Sequence, residues 1–223
     1  MRKPVKKFKV KRLSFYEGFA CVQFDDKQFG YVNTKGMKAF DTTFNYCEEF
    51  NEGLACVQFD DGRYGYINSK GEKAFDATFL TKPICSGFYE GLACVQFDDS
   101  RYGYINAKGE KAFETTFTNR AILNFNEGLA IVQFDDGRSG CINSKGEKAF
   151  EATFERFCGF KFNCGFARVQ FDNGRCGYIN AKGEKAFETT FKDCYDDFAG
   201  GLALVMFDDE HLGYINNKGE SVA

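Results

Sequence analysis

Between Leu54 and Phe59 the chain alternates, with Ala55, Val57 and Phe59 on one side and Leu54, Cys56 and Gln58 on the other. Such a period of two marks a β-strand. Asp60-Asp61-Gly62-Arg63 then supplies turn residues, and a second alternating run, Tyr64–Asn68, sets Gly65 and Ile67 against Tyr64 and Tyr66. Ser69-Lys70-Gly71-Glu72 turns the chain again, and Lys73–Phe79 reads as a third strand with Phe75, Ala77 and Phe79 on one face. The pattern predicts a three-stranded antiparallel meander.

The same pattern returns along the whole chain. The glycine of an E-G-[FL]-A motif stands at Gly18, Gly53, Gly91, Gly128, Gly165 and Gly201, at spacings of 35, 38, 37, 37 and 36 residues, with Cys164 and Gly200 replacing the Glu in the last two copies. Self-similarity at this period defines a repeat architecture of six copies. Inside a copy the intervals are constant, and length varies only between one copy's last Phe and the next Gly, so these connectors read as loops. The Ala55, Val57, Phe59 and Gly65 positions are invariant across the six copies, and the Ile67 position is Ile or, at Val32, Val. The opposite face drifts: the Cys56 position becomes Cys21, Cys94, Ile131, Arg168 and Leu204. The uniform face is expected to be the shared core and the drifting face to be partly exposed.

A lone meander cannot bury its apolar face, so neighbouring copies must cover each other. The expected fold class is all-β, a tandem repeat of about six three-stranded meanders forming an open β-solenoid or superhelix. The alternative is a closed six-bladed, propeller-like ring. It draws on the last copy stopping early in its third strand while Phe8, ten residues before Gly18, occupies the place of that strand's final Phe. The expected organisation is a basic N-terminal arm or first strand over residues 1–14 and a single β-repeat domain over 15–223.

Composition supports the β reading: aromatics make up 17% of the 223 residues, with 28 Phe, 11 Tyr, no Trp and two Pro. The net charge of −3 is uneven, because seven basic residues fall in the first twelve, leaving 22 basic against 32 acidic in the rest. The basic start is read as a solubilising arm or first strand, so nucleic acid is not an expected partner. No apolar run reaches the ~20 residues of a membrane span, nor is there a secretory h-region. A cytoplasmic protein is expected. Ten cysteines without a C-x-x-C fit reduced thiols better than a disulfide framework.

The recurring residues E-G-L-A-x-V-x-F-D-D-G-R-Y-G-Y-I-N-x-K-G-E resemble the bacterial WG-repeat family, short β-rich repeats in tandem arrays, over nearly all of residues 15–220. The family's Trp is replaced by Phe29, Tyr64, Tyr102, Ser139, Cys176 and Leu212. The resemblance implies a β-repeat scaffold with a role in binding and brings no catalytic residues or cofactor with it.

Candidate chemistry is sparse. The acid pairs Asp25-Asp26, Asp60-Asp61, Asp98-Asp99, Asp135-Asp136 and Asp208-Asp209 each open a hairpin turn, where Asp bonds the nearby backbone, and two adjacent acids do not furnish a Ca²⁺ shell. The Cys21, Cys56 and Cys94 position accepts Ile131 and Leu204 and is therefore apolar. The single His211 lies in a turn, leaving no zinc-like Cys/His cluster, and no phosphate-binding Gly loop occurs. No catalytic residue, metal or cofactor is assigned, and the protein is read as a non-enzyme.

Surface recognition remains. Arg63, Tyr64 and Tyr66, with Arg101, Tyr102 and Tyr104 in the next copy, read as a ladder of aromatic and guanidinium groups of the kind enriched in binding hot spots. The expected function is a repeat scaffold binding another protein through the connectors and the drifting face. A carbohydrate or cell-envelope ligand on the Tyr/Arg ladder is the alternative.

Overall fold

The structure is a computed structural model that describes residues 8–9, 14–24, 27–84, 87–98, 100–118, 124–159, 161–208 and 211–222. Most of the basic N-terminal arm, Asp25-Asp26, Cys85, Asp99 and Asp209 lie outside the described residues. The described residues contain strands and no helix. Each copy forms its own small antiparallel sheet, and the chain divides into two compact units, Met1–Thr116 and Phe117–Ala223, with three of the sheets in each.

The two central strands of the second copy are Leu54–Gln58 and Tyr64–Asn68, paired so that Ala55 faces Ile67, Cys56 faces Tyr66 and Val57 faces Gly65. The third segment departs from the expected strand. Only two isolated bridges remain, Ile67 to Lys73 and Tyr64 to Phe79, so the stretch from 64 to 67 faces the longer stretch from 73 to 79 and the surplus residues form a bulge, with Ala74, Phe75 and Ala77 packed against the core. The Phe59 ring lies over Gly65, where a β-carbon would stand 2.7 Å from it.

The connectors are not simply loops. Tyr46–Cys47 forms an outer strand against Leu54–Gln58, and Arg156–Phe157 and Asp193–Cys194 do the same in the fifth and sixth copies. The E-G motif is the two-residue turn joining outer strand to sheet: Asn51 and Leu54 exchange both backbone hydrogen bonds, while Glu52 and Gly53 take φ of +52° and +77°. Two consecutive positive φ angles define a type I′ turn, whose twist matches that of the hairpin. Phe8–Lys9 likewise pairs with Phe19–Phe24 of its own copy, not in the third-strand place that the ring alternative assigned to Phe8.

Much of the drifting face is more deeply buried than the partial exposure expected of it, as at Cys56 and Tyr66, although Tyr64 and Tyr102 keep partial exposure. Ala55, Val57 and Ile67 of the uniform face pack with Tyr31, Phe44 and Phe50, whereas Leu54, Cys56 and Tyr66 of the drifting face pack with Ala93, Val95 and Ile105 of the third copy. In the second unit Ile131 and Cys141 meet Ala167, Val169 and Ile179, and Cys176 and Tyr178 meet Ala203, Val205 and Ile215. Within each unit, the drifting face of one copy is thus covered by the uniform face of the copy that follows. Its residues vary because they need only fill space against a constant partner. Burying a large side chain there contributes about 1.5–3 kcal/mol.

The cysteines are also partly revised. Cys21, on the drifting face of the first copy, forms a disulfide with Cys47 on the outer strand of the second, against the expectation of reduced thiols throughout. Cys56, Cys141, Cys176 and Cys194 are free and buried, Cys94 is buried, all consistent with apolar positions, and Cys164 is exposed. No helix among the described residues is long and apolar enough to cross a membrane.

Candidate binding cleft

Most of the recurring polar residues are engaged in holding the fold. The Arg63 guanidinium donates from Nε to Thr78 Oγ1 at 2.7 Å and from Nη2 to the Thr78 carbonyl at 3.0 Å, closing the bulge of the third segment. Arg101 and Thr116, Arg138 and Thr153, and Arg175 and Thr190 repeat the clamp. Asn68 Oδ1 accepts from the backbone N–H of Lys70 and Glu72 while its amide donates to the Glu72 carboxylate, so N-x-K-G-E is one self-contained turn. The Lys of K-A-F stands over the Phe that precedes the acid pair, as with Lys73 and Phe59.

The expected binding ladder is broken up by these roles. Tyr66 is 0% exposed, packed against the third copy, and Tyr104 is 1% exposed. Arg63 and Arg101 are held by their threonines, and Tyr64 and Tyr102 remain only half-buried. The structure does not assemble the six residues into one accessible row.

A different group of side chains gathers at the E-G turns of the first unit. The residue preceding E-G is Tyr16, Asn51 and Tyr89 in the first three copies, and these three, with Glu48, Glu49, Phe50 and Gly87, line a cleft of about 300 Å³. Tyr16 and Tyr89 are 48% and 38% exposed, and Phe50 forms the buried floor. Asn51 is fixed by donating to the Phe88 carbonyl at 2.7 Å. The turns themselves are locked between copies: Glu17 accepts from Gly53 N–H at 2.9 Å, and Glu52 accepts from Glu90 and Gly91 N–H at 2.7 and 2.8 Å. Those carboxylates are therefore structural.

Two acids distinguish the cleft wall. Glu48 is ion-paired with Lys82 and bonded by the Tyr46 hydroxyl, while its backbone carbonyl accepts from Tyr31 Oη at 2.6 Å. Partial burial alone would lower the Lys82 ammonium, but its bonds to Glu48 and Tyr46 outweigh that and raise it, so the lysine stays charged. Burial and the Glu48 bond together raise the Tyr46 phenol. Glu49 is exposed. Beneath this wall, burial pushes the Cys56 thiol up to about 12, which leaves it protonated and unreactive at neutral pH.

Sequence reasoning missed this cleft for an identifiable reason. Its residues sit in the connectors, where only one signal was constant: a Phe three residues before each anchoring Gly, at Phe50, Phe88, Phe125, Phe162 and Phe198, and at Phe15 in the first copy. The first five of these are fully buried, which is what fixes the connector against the sheet.

Small antiparallel sheets of two to four strands, repeated in tandem and stacked within each unit, define a β-repeat protein. The WG containing repeat family matches five successive segments, residues 29–62, 64–99, 102–137, 140–174 and 177–210, and the chain belongs to that family. Each matched segment begins at the second central strand of one copy and ends at the turn of the next, so the family unit spans parts of two successive sheets. No curated protein matches the chain. Among solved structures it is similar in fold to the computationally designed Ika8 protein, at 11% identity and a TM-score of 0.57 over 96% of this chain and 73% of that one. It is also similar to the C-terminal WD40 domain of Sif2, at 10% identity and a TM-score of 0.50 over 98% and 70%.

Proposed function

We propose that the protein is a non-enzymatic binding module that recognises a basic segment of another protein at the Tyr16–Tyr89 cleft. The carrying observation is the cleft itself, in which two exposed tyrosines flank a fixed Asn51 beside the Glu48 and Glu49 carboxylates. Tyrosine is favoured at binding hot spots, and an aromatic face together with a carboxylate suits a lysine or arginine side chain. The excess of acid in the chain beyond the first twelve residues, 32 acidic against 22 basic, would steer such a partner towards it. The carbohydrate alternative loses its basis in the Tyr/Arg ladder, since two of the tyrosines are core residues and both arginines are clamps.

Fluorescence anisotropy with a library of short Lys- and Arg-containing peptides tests this reading on the full chain. Binding is expected to weaken with added salt, and Tyr89→Ala and Glu49→Gln are each expected to weaken it at least about tenfold. Affinities that neither substitution changes would sink it.

A further inference from the structure

The N-x-K-G-E turn is complete in five copies and incomplete in the first. From the second copy onwards the Asn side-chain amide donates to the Glu carboxylate of its own turn, Asn68 to Glu72, Asn106 to Glu110, Asn143 to Glu147, Asn180 to Glu184 and Asn216 to Glu220, at 2.9–3.1 Å. In the first copy Met37 stands in place of that Glu. Asn33 Oδ1 still accepts from the backbone N–H of Lys35 and Met37, at 3.0 and 3.1 Å, so the side chain is anchored as its counterparts are. Among the described residues, nothing accepts from its Nδ2.

Asn33 lines a cavity of about 340 Å³ between the first two copies, with Ser69 and Lys70 of the second copy's turn and with Phe19, Ala39 and Phe40. The floor is apolar: Ala39 and Phe40 are buried, and the Phe19 and Phe40 ring centroids lie 5.3 Å apart. The polar members of the lining, an amide, a hydroxyl and an ammonium, can all donate, and among the described lining residues none is acidic. We propose that this cavity is a binding site for a small organic acid, its carboxylate taking the place at Asn33 that the turn's own Glu takes in the other five copies. The Lys70 ammonium supplies the opposite charge, and the apolar body of the acid rests on Phe19 and Phe40. A carboxylate only accepts, so a rim made of donors suits it.

Titration of the isotope-labelled full chain with phenylacetate, followed in amide NMR spectra, tests the proposal. Phenylacetate is expected to shift the Asn33 side-chain amide and the backbone amides of Gly36–Phe40 and Ser69–Gly71, with a Kd on the order of 1 mM. Phenylacetamide, which lacks the charge, and inorganic phosphate, which lacks the apolar body, are each expected to bind at least about tenfold more weakly. Met37→Glu installs the residue that the other five copies carry, so it keeps the fold; its carboxylate is expected to occupy the Asn33 amide and to weaken phenylacetate binding at least about tenfold. Lys70→Gln, at an exposed position, is expected to weaken it about fivefold. Absence of these localised shifts, binding of phenylacetamide or phosphate as tight as that of phenylacetate, or an affinity unchanged by either substitution would overturn the proposal.

Discussion

At Gly71 φ is +79°, and a β-carbon would lie 2.4 Å from Cγ of Phe40 in the preceding copy. At Gly53 φ is +77°, but nothing lies within 4 Å of the same imagined atom. The two glycines look alike in the motif and answer different constraints: Gly53 needs only the left-handed backbone, and Gly71 also needs the space. Gly53→Ala is therefore expected to cost about 1 kcal/mol, the conformational penalty alone. Gly71→Ala adds the overpacking penalty and is expected to cost about 3 kcal/mol. Urea denaturation measures both, and equal losses would contradict the close approach of Phe40. The constancy of each glycine was visible in the sequence, as were the turns. Which glycine touches a neighbouring copy was not, because that depends on how the sheets stack.

The central strands were legible because alternation is a local property: Tyr64–Asn68 ends where the pattern ends, and Leu54–Gln58 falls one residue short of it. The third segment was not legible, since its alternation of Phe75, Ala77 and Phe79 is that of a strand while its pairing is interrupted. Side chains, not backbone bonds, close that gap, and so the recurring Arg and Thr belong to the element. Arg63→Lys keeps the charge but cannot donate from two fixed nitrogens to Thr78 Oγ1 and the Thr78 carbonyl. It is expected to cost about 1 kcal/mol and to accelerate amide exchange in residues 73–79 ahead of the central strands. If Thr78→Val in the Arg63→Lys background adds nothing further, the two residues act as one clamp. Full additivity, or unchanged exchange in that segment, would show that the bulge is held by something else. The cleft was illegible at this scale for a related reason: Tyr16, Asn51 and Tyr89 lie at one register of successive hairpin turns, but the connectors leading to Asn51 and Tyr89 differ in length, and the buried Phe50 and Phe88 beneath set those two in place.

Within each unit stability is passed from copy to copy by stacking, so each sheet depends on its immediate neighbours more than on distant ones. The Cys21–Cys47 disulfide enters this scheme as a link between the first and second copies over a sequence separation of 26, and it lies within Met1–Thr116. In the second unit, Cys158, Cys164, Cys176 and Cys194 are all free. Restricting the unfolded chain over a loop of that length contributes about 3 kcal/mol. Reduction should therefore act unevenly. With a thiol reductant, or with Cys47→Ser, amide protection is expected to fall in Phe19–Phe24 and Leu54–Gln58, and to stay unchanged in Phe166–Gln170 and Leu202–Met206. Hydrogen exchange read by mass spectrometry resolves these strands separately. A uniform loss of protection along the chain would mean that the six copies unfold as one cooperative block, and no change in the first two would mean that stacking of their faces already suffices without the covalent link.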